Sequence, residues 1–200
     1  MVNHFSTSDN PKRAIIAIHG WTGDIHSMEP VTKSLRLPDT KWAIPQAPYI
    51  SDKKGFTWFE GNEESGWKYQ ESFDKLHQII DNMEMGGISR NNIFLIGFSQ
   101  GACLSMEFMI RQPYSLGGII PIAGFIRYKE NFINAATNES KTTPILLLHG
   151  DEDEIVKPEE SEAAKDLFLQ LGYHVELTLF SAGHKIPLIA KDKIQKFILS

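Results

Sequence analysis

Asn92-Ile-Phe-Leu-Ile-Gly97-Phe-Ser99-Gln-Gly101-Ala-Cys-Leu-Ser-Met-Glu-Phe-Met109 decides the fold of this 200-residue chain. Residues 93–96 are apolar at every position rather than alternately, the pattern of a strand covered on both faces, as in a parallel sheet with helices on each side. Beyond Gly101, the residues Ala102, Leu104, Ser105, Phe108 and Met109 read as a buried helix over 101–111, ended by Pro113. Between the two stands Gly97-Phe98-Ser99-Gln100-Gly101, a G-x-S-x-G pattern. Its small residues permit a tight strand-to-helix turn that lifts a serine hydroxyl clear of the sheet edge.

The same strand signature recurs on either side. Residues 14–18 run apolar into His19-Gly20, 118–123 into Gly124, and 145–148 into His149-Gly150, with a shorter run at 42–44. Between them, Phe73, Leu76, Ile79, Ile80 and Met83 make one apolar face of a helix over 67–85 that Gly86-Gly87 stops. A second amphipathic helix is predicted over 158–171 and a closing one over 186–199, with an alternating strand over 173–180. Strands alternating with helices predict a doubly wound, mostly parallel α/β sheet, whose ligands bind beyond the carboxyl ends of the strands. The polar stretches 50–66 and 129–143 read as surface loops, the first overhanging the site, with Gly55 and Gly61 free to let it move as a flap.

Composition narrows the function classes. The length fits one domain over residues 1–200, and 42% hydrophobic with 22% charged residues is an ordinary globular balance. A formal charge of -5 lacks the basic footprint of nucleic-acid binding. The single cysteine, Cys103, excludes a disulfide framework or a Cys-based zinc site and fits a reducing, cytoplasmic setting. Residues 1–13 are polar, and no apolar run approaches the length that spans a bilayer, so neither export nor membrane insertion is expected.

A serine hydroxyl needs an imidazole to take its proton and a carboxylate to hold that imidazole. With the chain order Ser, acid, His, the bases downstream of Ser99 are His149, His174 and His184. His149 precedes any suitable acid and His174 lies within a strand, whereas His184 follows Ser181-Ala182-Gly183 in a loop and is the best base. Gly150-Asp151-Glu152-Asp153-Glu154 offers four carboxylates, with Asp151 and Asp153 both open as the acid. The backbone N–H of Gln100 is one candidate oxyanion donor and that of Trp21 the second. His19 reads as a brace for the Trp21 loop. His4, His26 and His77 read as surface residues.

These residues resemble the α/β-hydrolases, and more narrowly the phospholipase/carboxylesterase family with its small carboxylesterases and acyl-protein thioesterases. The resemblance is carried by Ile18-His19-Gly20 with Gly23-Asp24, Pro45-Gln46-Ala47-Pro48 and Trp58-Phe59-Glu60. It continues through the Ser99 pentapeptide, Pro121-Ile-Ala-Gly124-Phe125, residues 149–156 and Gly183-His184. It implies an α/β-hydrolase fold without a large lid domain, Ser99 as nucleophile, Asp153 as the acid of an H-G-x-x-D-x-x-V pattern, and His184 as base. Two positions depart from the family. The first loop reads His-Gly-Trp-Thr-Gly-Asp where His-Gly-Leu-Gly-Asp is common, and Glu60 stands where an Asp is usual.

Hydrolysis of small to medium acyl esters through an acyl-Ser99 intermediate is therefore expected, with no cofactor and no metal. Trp58 and Phe59 are the candidate walls of an acyl pocket. An acyl-protein thioesterase or lysophospholipase is the neighbouring alternative, and a non-catalytic binding module on the same scaffold is the alternative of another class. The partners implied are an ester or thioester, water and, through apolar surface near the pocket, a second copy of the chain.

Overall fold

Each Gly-terminated apolar run is a strand, and each helical periodicity a helix. The computed structural model describes residues 1–62, 64–186 and 188–200. In chain order the strands are β1 (Val2–Ser6), β2 (Arg13–Ile18), β3 (Thr40–Pro45), β4 (Tyr49–Ile50), β5 (Phe56–Thr57), β6 (Glu60–Asn62), β7 (Gly66–Lys68), β8 (Ile93–Phe98), β9 (Gly118–Ile122), β10 (Ile145–Gly150) and β11 (Val175–Phe180). The helices are α1 (Glu29–Leu35), α2 (Gln70–Met85), α3 (Gln100–Met109), α4 (Lys129–Ala135), α5 (Pro158–Gln170) and α6 (Lys191–Leu199). Among the described residues, seven strands form one sheet in the order β1-β3-β2-β8-β9-β10-β11, parallel throughout except at the β1 edge.

Why the central strands are apolar at every position is visible in the packing. Side chains alternate across a sheet, so Ala14, Ile16 and Ile18 of β2 enter one layer while Ile15 and Ala17 enter the other. In β10, Ile145 and Leu147 face the first layer and Leu146 and Leu148 the second. Helices α2, α3 and α5 close the first layer, and α1 and α6 close the second. Each fully buried Leu or Ile contributes about 1.5–3 kcal/mol, which makes covering both faces the dominant stabilising term. Among the described residues, no helix is long and apolar enough to cross a membrane.

Several expectations are corrected. The polar N-terminal segment contains β1, paired antiparallel with β3 from Val2 opposite Pro45 to Ser6 opposite Lys41. As an edge strand it packs only Val2 against one layer and Phe5, stacked on Trp42 at 6.0 Å, against the other, so its sequence stays polar. The expected loop over 50–66 holds β5, which pairs with β4, and the β6–β7 hairpin; residue 63 lies outside the described residues. Because β7 occupies 66–68, α2 begins at Gln70 rather than at 67. The expected loop over 129–143 holds α4 and a 3₁₀ turn, Glu139–Thr142, with Phe132 of α4 fully buried 5.5 Å from the Phe168 ring. A helix of two turns with one buried anchor carries no periodic signal. The closing helix is α6, preceded by a 3₁₀ turn at Leu188–Ala190, and Pro187 lies outside the described residues.

Nor is the 50–57 segment a free flap. Thr22 N–H donates to Phe56 O at 3.0 Å and Phe56 N–H to Gly23 O at 3.0 Å, a two-bond clamp onto the loop after β2. Gly55, at φ +70°, sits so close that an added Cβ would lie 2.1 Å from Thr22 O. Its glycine serves that contact.

The β8–α3 crossing is equally tight. A Cβ on Gly97 would lie 2.3 Å from Gly101 O, and one on Gly101 would lie 2.4 Å from Ile18 O and 2.6 Å from His19 O. These are backbone atoms and cannot swing aside. Gly101→Ala is expected to cost about 3 kcal/mol, the upper range for overpacking a rigid core. Urea unfolding would read this as a lower midpoint at unchanged slope. A loss below about 0.5 kcal/mol would show that the helix shifts freely.

Candidate active site

The carboxyl ends of β2, β8, β10 and β11 bring four loops to one sheet edge. Ser99, between β8 and α3, has φ 52° and ψ −114°, a strained conformation for a residue with a Cβ. It is held there because Ser99 N–H donates to Ile122 O at 2.8 Å, while Ala102 and Cys103 N–H groups return to Ser99 O at 2.9 and 3.0 Å. The loops after β10 and β11 are sewn together by Asp151 N–H to Phe180 O at 2.9 Å and Glu152 N–H to Ala182 O at 3.1 Å. Gly150 permits this approach, since a Cβ there would lie 2.1 Å from Ala182 O.

That stitching brings Ser99, His184 and Asp153 into one hydrogen-bonded line. His184 Nδ1 is 2.7 Å from Asp153 Oδ2, and His184 Nε2 is 3.0 Å from Ser99 Oγ. An ionised carboxylate only accepts, so Nδ1 carries the proton and Nε2 is left to accept from the Ser99 hydroxyl. Asp153 is buried, and its Oδ1 accepts from the Ile155 and Val156 N–H groups at 2.9 and 3.0 Å. Burial alone raises its pKa, but the bonds from His184, Val156 and Ile155 outweigh it and hold the carboxyl below its ordinary 3.8. Asp151 is exposed, so of the two carboxylates left open by the sequence, it is Asp153 that meets the imidazole.

Trp21 and Gln100 line the same groove as Ser99. Among the described residues, the Trp21 and Gln100 N–H groups have no acceptor, whereas the neighbouring Thr22 and Gly23 N–H groups bond Phe56 O and Gly20 O. Gln100 is the first residue of α3, where an N–H has no intrahelical partner and the helix dipole favours negative charge. His19 braces the Trp21 loop as expected. Its Nδ1–H donates to Gly20 O at 2.7 Å and its Nε2 accepts from Ala47 N–H at 3.1 Å, and burial pushes its pKa down, keeping it neutral. His4 and His26 are exposed, but His77 is half-buried with its ring 4.8 Å from that of Phe108.

Trp58 and Phe59 separate. Phe59 lines a groove of about 630 Å³ that also holds Ser99, Gln100, Trp21, Trp67 and Phe125. Trp58 is fully buried behind it, its indole N–H donating to His19 O at 2.9 Å, so its side chain is a strut of the core and not a wall of the groove. Neighbouring residues on an extended segment point to opposite sides, and the sequence pattern gave no way to choose between them.

Three contributions went unread in the sequence. The Gln100 side chain accepts from Trp58 N–H at 2.9 Å and donates to Thr57 Oγ at 2.9 Å, fastening the 57–59 segment to the Ser99 turn. His149, the first residue of the H-G-x-x-D-x-x-V pattern, is fully buried; its Nε2–H donates to Val156 O at 2.9 Å and stands 3.3 Å from Asp153 Oδ2. Arg127 lines the groove. The repeated His149-Gly150 strand ending was the one available signal for the second of these.

Against known proteins, a phospholipase/carboxylesterase family profile matches residues 4–200. A probable carboxylesterase SOBER1-like of Arabidopsis thaliana is 30% identical over 189 residues, 86% of this chain and 72% of that protein. Acyl-protein thioesterase 1 of Kluyveromyces lactis is 32% identical over 181 residues, 82% of this chain and 79% of that protein. Among solved structures, esterase PE8 superposes with a TM-score of 0.86 at 25% identity, over 98% of this chain and 96% of that one.

The lowered Asp153 pKa has a measurable consequence. A carboxyl stabilised as its anion in the folded state contributes stability above the ordinary pKa, and the contribution is lost as pH falls through the folded-state pKa. Asp153→Asn is expected to lower stability by about 1–2 kcal/mol near neutrality, with the gap from wild type beginning to narrow below about pH 5 and closing only as pH falls through the folded-state pKa, below 3.8. Urea midpoints across that range would check it. A gap independent of pH would contradict a charge-based contribution.

Proposed function

Because the chain belongs to the phospholipase/carboxylesterase family, we propose that it is a serine hydrolase cleaving carboxylic esters of small to medium acyl chains through an acyl-Ser99 intermediate. The observation that carries this reading is the continuous hydrogen-bonded line from Asp153 through His184 to Ser99.

Ser99 Oγ attacks the acyl carbon as its proton passes to His184 Nε2, and Asp153 stabilises the imidazolium that forms. The carbonyl oxygen becomes an oxyanion received by the Trp21 and Gln100 N–H groups. Collapse of the tetrahedral species breaks the bond to the leaving group, which takes the proton back from His184. A water then loses a proton to His184 and attacks the acyl carbon, and collapse breaks the bond to Ser99 Oγ, which takes that proton back from His184 as the carboxylic acid leaves.

The two sides of the substrate are separated by which cavity each group lines. The Ser99 groove does not include His184, which instead lines an open hollow of about 450 Å³ with Gly20, Phe98 and Ile186. Since His184 must protonate the leaving group, the leaving group lies in that hollow and the acyl chain in the Ser99 groove, against Phe59, Trp67 and Phe125. The hollow is open enough for leaving groups of varied size. A thioester is the second reading, supported by the name of the Kluyveromyces lactis relative.

Brief exposure to a fluorophosphonate should add one adduct to the intact wild-type mass and none to Ser99→Ala, whose kcat/KM should fall about 10⁴-fold or more. Asp153→Asn should lose about 10³- to 10⁴-fold, while Asp151→Asn stays within about threefold. Matched ester and thioester series of rising chain length rank the two substrate classes. A folded wild type that takes no adduct would overturn the hydrolase reading in favour of a ligand-binding module.

A further inference from the structure

At the boundary of the Ser99 groove, Arg127 is a cation held by ring stacking, with no salt bridge among the described residues. Phe59, Trp67 and Arg127 line both that groove and a second cavity of about 410 Å³, so they form the wall between the two. The guanidinium carbon lies 4.1 Å from the centre of the Trp67 ring, 5.4 Å from Phe59 and 5.5 Å from Phe125. Such stacking holds an arginine in place but leaves its in-plane donors free.

The guanidinium reaches the Cys103 thiol, but one of its donors stays without a partner among the described residues. Arg127 Nε is buried without a hydrogen-bond partner, and so is Trp67 Nε1 in the same wall. Buried donors are nearly always bonded, so two orphans on touching side chains call for an acceptor. Among the described residues no carboxylate lies within salt-bridge distance of Arg127. Glu107, near enough to feel the Arg127 charge, is engaged by Arg111 at 2.6 Å. The Cys103 thiol beside Arg127 is raised by burial to about 12 and stays neutral. Asp52 and Glu60, which also line the groove, are exposed, and Glu60 pairs with Lys68 at 3.2 Å.

We propose that Arg127 anchors a carboxylate at the far end of the acyl chain, so that the preferred substrates are half-esters or half-thioesters of dicarboxylic acids. The assignment to the acyl side rests on the hydrolase reading above, which sends the leaving group toward His184 and the acyl chain toward Phe59 and Trp67. An arginine whose ring stack fixes its plane presents paired N–H donors matched to the two oxygens of a carboxylate. The second cavity argues against an unbroken alkyl path, since Glu107, Arg111, Asn131 and Arg127 line it.

The test compares monoethyl succinate, glutarate and adipate with their uncharged isosteres, ethyl 4-methylpentanoate, 5-methylhexanoate and 6-methylheptanoate, by ethanol release. At least one half-ester should exceed its isostere in kcat/KM by about tenfold or more in the wild type. Arg127→Gln should lose that preference, its kcat/KM falling about tenfold further on the half-ester than on the isostere, and Arg127→Lys should keep part of it. Equal rates on charged and neutral esters, or equal losses on both in Arg127→Gln, would overturn the assignment. An Arg127-dependent gain confined to 3-acetoxypropanoate, which carries its charge on the alcohol side, would also overturn it. Should Arg127→Gln fail to fold, the wild-type ratios decide. Wild type that hydrolyses neutral esters without charge preference refutes the Arg127 role alone, whereas wild type that takes no fluorophosphonate and cleaves nothing refutes the hydrolase reading itself.

Discussion

The approach of Gly101 to the carbonyls of Ile18 and His19 is the constraint on which the rest of the site depends. It lets α3 begin directly over the ends of β2 and β8, and the price is a Ser99 backbone at φ 52°. Strain of that kind costs about 1–3 kcal/mol and survives only where its surroundings over-determine it. Here they do: Ser99 is tied to β9 through Ile122 O, and α3 is buried along nearly its whole length in the layer shared with α2 and α5. The two-sided core thus sustains a serine held out of any relaxed conformation.

A parallel sheet delivers its loops to one edge, but delivery alone does not align a proton path. The alignment comes from backbone bonds between loops. Asp151 and Glu152 donate to Phe180 and Ala182, which fixes the loop carrying Asp153 against the loop carrying His184. Asp153 is then held by two N–H groups of its own turn, and His149 stands against its other oxygen. Every donor around the carboxylate favours its anion, which orients the imidazole with Nε2 toward Ser99.

Legibility in the sequence followed the strength of the periodic signal. Strands β2, β8, β9 and β10 were readable because burial on both faces forces an unbroken apolar run. Helices α2 and α5 were readable because one face of each is apolar. Strand β1 and helix α4 were not, since an edge strand and a two-turn helix each contribute few buried side chains. The Ser99 turn was legible because its glycines obey steric demands, and His184 because chain order left few rivals. Trp58 and Phe59 looked alike on the page and differ only in which side of the segment they occupy. Gln100 was legible through its position after Ser99, but the two bonds of its side chain depend on where the 57–59 segment folds back. Arg127 carries no motif, and its stack on Trp67, Phe59 and Phe125 exists only in three dimensions.

That double engagement of Gln100 couples two parts of the site. Its side chain fastens Thr57 and Trp58, hence the position of Phe59 in the groove wall, while its backbone N–H stands ready beside Ser99. Trp58 extends the tie by bonding His19 O, and the clamp between Thr22, Gly23 and Phe56 brings the Trp21 loop into the same frame. The N–H groups of Trp21 and Gln100 are therefore both anchored to the segment that shapes the Ser99 groove. In the proposed reaction, an acyl chain that seats poorly against Phe59 would disturb the donors that receive the oxyanion, so the fit of the acyl group would register in kcat as well as in KM.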